Sequence, residues 1–465
     1  MRFHAPSKYH AMRSEKALLT EGPVGKHLVK MTVPVLLGIT TMMGQALVDA
    51  WFLGRVGDRA LAAHAFSFPI LMIVSSVAIG LGAGTSSVVA RAIGAGDHRR
   101  ARRLTTDSLL LSFLITAAVS LLGVVTIEPL FRLLGAPADM IPMIRGFMTI
   151  LYSGVPFVVV GMVGMASMRA TGDTRLPSKL MIIGSILNVI LDPILIFGVG
   201  PIPGFGLNGA AMSALMARGT IFVGALVLLR WRLKMISFNL PHTDELKKSW
   251  KDILHVGIPA AGTNVIVPVG AAIVTAMIAR YGPDAVAGFG VASRIESMTL
   301  VVYYAMSAII GPFVGQNFSA GKEARILLAL RLCTWFCVAS GLLIAAALAL
   351  SSDFLPALFS SNPAVIDMAG VYLIIAPLSY GAYGMVMVMN ASFNGLGHPM
   401  PAVGVSLGRI VVLYLPLAIA GMQLMGAIGI FGAYAVANIV SGVIAYAWAK
   451  RTVRRHSGRR TEVFE

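Results

Sequence analysis

Charge is what this chain has least of. Asp, Glu, Lys and Arg together make up 12% of its 465 residues, whereas soluble globular domains carry roughly 25%. So little charge cannot cover a water-facing surface of this size. Acids are the scarcer kind, 20 against 37 Lys and Arg, for a formal net charge of +17. A basic surplus elsewhere signals nucleic acid, but here the bases fall in alternate loops, and nucleic acid is excluded as a partner. Cysteine is nearly absent. Cys333 and Cys337 lie one helical turn apart in an apolar run, too sparse for a thiolate zinc site. The run Gly80-x-Gly82-x-Gly84 lacks the Lys-Ser/Thr ending of a phosphate cradle, which excludes ATP as the energy source. Histidines with metal spacing and a nucleophile-base constellation are also missing. Neither an enzyme nor a bound cofactor is expected.

What remains is apolar. Hydrophobic residues are 57% of the chain and mean hydropathy is +0.81. Stretches long enough to cross a bilayer, roughly 20 residues each, recur near 28–53, 62–91, 104–125, 140–168, 176–199 and 208–230. A second set lies near 252–279, 285–316, 324–350, 364–394, 400–422 and 427–449. The expected fold is an all-α polytopic membrane protein of about twelve transmembrane helices. Its parts are a tail over 1–27, a first lobe over 28–230, a basic linker over 231–251, a second lobe over 252–449 and a basic tail over 450–465. The N-terminus has no cleavage site after its first apolar run, so the first helix is expected to be retained. Arg99 to Arg103, Arg169, Arg175, Lys179, the linker, Lys322, Arg325 and both tails fall on one side. Arg55, Arg59, Arg132, Arg145 and Arg280 fall on the other. The positive-inside rule then makes both termini cytoplasmic, in a cell inner membrane.

The halves are copies of one another. A shift of 225 residues aligns Pro34 with Pro259, Arg55 and Gly57 with Arg280 and Gly282, and Ala95-Gly96 with Ala320-Gly321. It also aligns Ala166-Ser167 with Ala391-Ser392 and Gly172 with Gly397. With an even number of spans in each, the lobes insert the same way up. They are expected to be related by a pseudo-two-fold axis along the membrane normal, with a substrate path between them.

The segments Pro34, Asp49, Gly54-Arg55-Val56-Gly57, Ala60-Leu61-Ala62-Ala63 and Arg91-Ala92-Ile93-Gly94-Ala95-Gly96-Asp97 form a pattern. Val291 to Glu296, Gly315 to Lys322, Ala170-Thr171-Gly172-Asp173 and Asn188-x-x-x-Asp192 extend it over nearly the whole chain. This set resembles the multidrug and toxic compound extrusion (MATE) family. The resemblance implies twelve helices in two lobes around a central cavity and antiport of a small organic substrate against protons or sodium. Asp252 and Asp367 stand only at the ends of their spans, so the chain resembles the DinF-like branch more than the NorM-like one. Around Tyr152, Ser153, Met162, Met165 and Met168 it departs from the polar pattern of relatives.

Asp49 and Asp192 sit well inside apolar spans, where an ionisable side chain reads as functional. Desolvation favours the neutral acid, and a second acid nearby discourages ionisation of both. With Asn188 one turn before Asp192, these residues are the expected proton or cation coupling site. Sodium held by the same three side chains is the alternative. Pro34, fifteen residues before Asp49, removes a backbone hydrogen bond and is the expected conformational hinge. Gln45, Met42, Tyr152, Met162 and Met165 are candidates to line a substrate cavity, because flexible thioethers repack around varied ligands. Arg218, Arg294, Glu296 and Arg409 carry no assigned role beyond structure. The expectation is a monomeric exporter of cationic or lipophilic compounds, embedded in membrane lipid. A sodium-driven version and a lipid-precursor flippase are the alternatives, the acids disfavouring phosphate headgroups.

Overall fold

The computed structural model describes residues 18–237 and 242–461; the basic residues Arg2, Lys8, Arg13 and Lys16 of the tail lie outside them. The first half forms α1 (Val24–Val56), α2 (Asp58–Gly94), α3 (His98–Leu133), α4 (Ile141–Ala170), α5 (Arg175–Phe197) and α6 (Leu207–Val227). A two-stranded β1–β2 hairpin (Gly198–Val199 and Ile202–Pro203) joins α5 to α6, and a π turn extends α6 to Arg232. The second half forms α7 (Thr243–Ile278), α8 (Pro283–Thr299), α9 (Val301–Ser319), α10 (Glu323–Leu350), α11 (Phe354–Ala357) and α12 (Pro363–Ile375). It ends with α13 (Tyr380–Leu396), α14 (Met400–Leu407), α15 (Leu415–Met425) and α16 (Ala427–Thr461). Among the described residues eleven helices are long and apolar enough to cross a membrane, twelve when the bent pair α8–α9 counts as one. Leu121, Val125, Leu343 and Leu350 stand 70–90% exposed, a surface only lipid can cover. α7 begins inside the basic segment 231–251, and α16 continues through the tail residues 450–461.

The duplication carries into backbone geometry. Gly57 and Gly282, Gly96 and Gly321, and Gly172 and Gly397, each pair 225 apart, all hold positive φ where one helix ends and the next begins. A side chain would be strained there, so the same turn has kept glycine twice.

Chain halves and packed cores do not coincide. Val24, Leu28, Met31 and Val35 at the start of α1 are buried in the core of the second half. Ile253, with Trp250 and Leu254, at the start of α7 packs into the core of the first. Each lobe's first helix therefore begins in its neighbour's core. It ends in its own, at Leu53 in α1 and at Val274 and Ile278 in α7. Pro34 and its counterpart Pro259 lie within those crossing stretches, and α1 runs unbroken through Pro34.

Three spans of the second half are distorted where their counterparts are regular. α8 and α9 meet at Leu300 with a 43° bend within the span that the sequence predicts over 285–316. No proline stands at the break. Instead Ser297 and Thr299 turn their hydroxyls back onto the Ser293 and Ile295 carbonyls, a contact that bends helices. α12 and α13 are joined by a 3-10 turn at Ala376–Ser379, and α14 and α15 by a π-helical segment at Gly408–Tyr414.

The lobes are tied together at the basic end. Ser87 Oγ donates to the Asn394 carbonyl at 2.5 Å, and Gln316 Nε2 donates to the Ala170 carbonyl at 2.7 Å. The strand of chain before α1 is strapped across the same seam. Gln316 Oε1 accepts from the Leu19 N–H, Asn317 Nδ2 donates to the Leu19 carbonyl, and Lys322 Nζ to that of Thr20. Arg325 caps the Gly22 and Leu19 carbonyls. Beneath them α2 and α7 touch backbone to backbone through Gly80, Gly84 and Gly257, the small-residue contact that helices use in lipid.

Candidate functional site

α1 and α5 pack side by side and bring the predicted polar residues together. Gln45 and Asp49 share one face of α1, one turn apart, as do Asn188 and Asp192 on α5. Gln45 Nε2 donates to Asp49 Oδ2 at 3.4 Å, and the Asn188 amide stands between the two helices. In one orientation Asn188 Nδ2 donates to Ser213 Oγ at 2.7 Å and to Asp192 Oδ1 at 3.5 Å. Turned over, its nitrogen donates to Asp49 Oδ1 at 3.0 Å. Its oxygen then accepts from Ser213 Oγ at 2.7 Å and from the Ala214 N–H at 3.2 Å. Ser213 also donates to the Asn188 carbonyl at 3.1 Å, which pins α6 to α5.

The Asp49 carboxyl reaches that of Asp192. Asp192 is buried, and its Oδ2 has no hydrogen-bond partner. Arg218 on α6 acts on Asp49 through space. Among the described residues no Lys or Arg forms an ion pair with either acid. This is an under-compensated acid pair in a low-dielectric setting, where two charges in contact repel strongly. Chemically, such a pair is able to share a proton or to hold a cation.

The other predicted cavity residues part company. Met42 is exposed on α1. Met165 is buried and Met162 half-buried inside the packing of α4. Tyr152 is also buried, its ring over Gly123 and its carbonyl accepting from Ser120 Oγ at 2.8 Å. It is committed to the α3–α4 contact. Ser213 escaped the sequence reading, since a single serine in a span carries no signal by itself.

The second lobe builds a separate polar centre that the sequence reading left without a role. Glu296 on α8 accepts from the Tyr372 hydroxyl of α12 and from the Tyr434 hydroxyl of α16, the latter at 2.7 Å. Arg409, carried by the π-helical segment, donates to Asn438 Oδ1 at 2.9 Å. Its guanidinium lies 4.6 Å from the centroid of the Tyr383 ring. Asn438 donates onward to Ser379 at 3.1 Å. Phe289, Tyr372, Phe431, Tyr434 and Tyr414 form a chain of edge-to-face and stacked rings around the carboxylate. The usable signal was a mid-span Glu together with Tyr434 and Asn438 one helical turn apart. Neither centre groups three His, Cys, Asp or Glu as a metal site would.

The MatE family model matches residues 34–194 and 259–420, and those two blocks are the repeats. The chain is 38% identical to the FAD transporter of Shewanella oneidensis, over 95% of this chain and 97% of that protein. It is 25% identical to the probable multidrug resistance protein YoeA of Bacillus subtilis, over 91% and 94%. The structure superposes on the Vibrio cholerae MATE transporter VcmN in its bent form with a TM-score of 0.88. That match has 30% identity and covers 92% of this chain and 98% of that one. Repeats, two-lobe architecture and family match agree, and this chain belongs to the MatE family of membrane transporters.

Proposed function

We propose that the protein is a secondary active exporter that carries small organic compounds out of the cell against an inward flow of protons, by alternating access between its lobes. The observation that carries this reading is the Asp49–Asp192 contact with Asp192 Oδ2 unpartnered and no ion-paired base. A proton taken up there relieves the charge repulsion between the two carboxyls. Because α1 joins this site to the crossing stretch at Pro34, loading the acids biases the path of α1 between the lobes. Pro34 is the hinge in this scheme. The basic loops support an inner-membrane orientation with both termini cytoplasmic, in which the strapped seam is the closed inner gate. Asp252 and Asp367, with no acid beyond them in α7 and α12, support kinship with the DinF-like branch.

Sodium is the second reading for the ion. Asp49, Asp192, Asn188 and Ser213 converge four oxygen-bearing side chains, the donors that hard cations take. For the cargo, lipophilic cations suit the acid pair, and the 38% identical FAD transporter supports flavin compounds as well. One assay separates these. Proteoliposomes containing the purified protein are loaded with ethidium or with FAD, and efflux is followed under an imposed pH gradient and then under a sodium gradient. Efflux of at least one cargo that the pH gradient drives, and that Asp192→Asn abolishes, is expected. Efflux that only sodium drives would replace the proton by Na⁺ at the same residues, and no efflux of either cargo would remove the export reading.

A further inference from the structure

The two repeats place their polar centres at positions that do not correspond. At a shift of 225, Asp49, Asn188 and Asp192 face Val274, Leu413 and Leu417. In the other direction, Glu296, Tyr372, Arg409 and Tyr434 face Leu71, Phe147, Gly184 and Gly209. Each half has therefore acquired its own chemistry on a shared scaffold, and the two chemistries differ. The first-lobe acids lack a paired base. The second-lobe acid is satisfied by two phenol hydroxyls and stands in the field of a buried arginine. Both of its oxygens already accept a hydrogen bond, whereas Asp192 Oδ2 has no partner.

Donors there remain unused. Arg409 is buried and spends Nη1 on Asn438, while its Nε has no partner. Tyr380 is fully buried in the same cluster, and its hydroxyl has no partner either. Buried polar groups are normally satisfied, so each of these two donors calls for an acceptor. The cluster is not sealed. Glu296 is only half-buried, and Tyr304 on α9, which lies within electrostatic reach of Glu296, Tyr383 and Arg409, is 40% exposed. The π-helical segment that aims Arg409 is a distortion that proteins keep mostly at functional sites.

We propose that the second lobe carries a recognition site for a planar heteroaromatic ring with a hydrogen-bond donor and an acceptor on one edge. The donor edge addresses the Glu296 carboxylate, the acceptor edge takes the free Arg409 and Tyr380 donors, and the ring stacks against Tyr304. Stacking and cation–π attraction reward a flat π-system, and the paired edges reject ligands unable to hydrogen-bond, since their binding would leave the buried polar groups unsatisfied. A quaternary or phosphonium cation lacks both edges and meets Arg409 as a like charge. This site rests on the export reading and deepens it, adding to the first-lobe acids a second-lobe site for cargo of this planar, hydrogen-bonding class.

The test is equilibrium binding to the purified full-length protein in detergent. Riboflavin is the probe, an uncharged planar ring with an imide N–H between carbonyls, and tetraphenylphosphonium is the control. Native protein is expected to bind riboflavin and to lose roughly tenfold or more in affinity with Glu296→Gln, Arg409→Gln or Tyr304→Ala. The affinity for tetraphenylphosphonium is expected to stay within about twofold across the set. Tyr304→Ala removes an exposed ring, so it keeps the test alive if either buried substitution lowers the melting temperature. No riboflavin binding to native protein overturns the proposal, as does riboflavin affinity unchanged in all three variants. Loss of tetraphenylphosphonium binding alone would make the centre a cation site and also overturn it. Ethidium efflux in the same preparation reports separately on export, so failure of this site and failure of the transporter reading give different results.

Discussion

In the proposed cycle, opening the basic end separates α2 from α7, and of the α2 glycines on this contact Gly84 leaves the least room for a side chain. A Cβ built on Gly84 would lie 2.3 Å from the Ile253 carbonyl oxygen and 3.1 Å from the Gly257 nitrogen. Ordinary contact begins near 3.4 Å, so Gly84→Ala forces the helices apart by about 1 Å, with rigid backbone on the far side. Overpacking of this kind costs about 1–3 kcal/mol. The cost falls on the arrangement in which the seam is closed, so it shifts the closed-to-open ratio by roughly 5–150-fold. The matched control is Gly44→Ala on α1, where an added Cβ meets nothing within 4 Å. Spin labels at Arg99→Cys and Ala324→Cys, both exposed and related by the repeat, report the distance across the seam. Cys333 and Cys337 are buried and do not compete for the label. Gly84→Ala should move the distance distribution towards longer values and slow transport, while Gly44→Ala should do neither. If Gly84→Ala matches the control in both, the α2–α7 contact is not one that the closed state depends on, and the seam argument fails.

Other expectations follow from the same contacts. Arg325→Gln removes the caps on the Leu19 and Gly22 carbonyls. It should weaken the strap by about 1 kcal/mol, given its partial exposure, read as faster proteolysis before α1; an unchanged cleavage rate would show that the strap holds without it. Pro34→Ala restores a backbone hydrogen bond in the crossing stretch of α1, so folding should be retained and turnover should slow, and equal turnover would remove the hinge. Replacing Ser297 by Ala and Thr299 by Val together removes both back-bonded hydroxyls beside Leu300. The α8–α9 bend of 43° should then decrease in a solved structure, and a bend of the same size would assign it to packing instead.

Why one centre was legible in the sequence and the other was not is a question of what each depends on. Asp49 and Asp192 announce themselves as acids in apolar spans, and the one-turn spacings of Gln45 and Asn188 place them on the same faces. Only the adjacency of α1 and α5 had to come from packing. In the second centre Glu296, Tyr372, Arg409 and Tyr434 come from four spans, and no pair among them has helical spacing. Its tyrosines read as ordinary apolar bulk until their hydroxyls are seen to converge on one carboxylate. The distortions that aim these side chains, the bend at Leu300 and the π-helical turn at Arg409, have no proline at the distorted turn itself to announce them. The repeat also misleads here, since it predicts equivalent positions in each half. Duplication has fixed the scaffold, down to the paired glycines at the turns, because both copies must satisfy the same backbone geometry in lipid. It has not fixed the polar interior, where a single cavity needs each kind of site only once. The asymmetry of the centres within symmetric lobes is therefore what a shared path predicts under the proposed roles of the two centres.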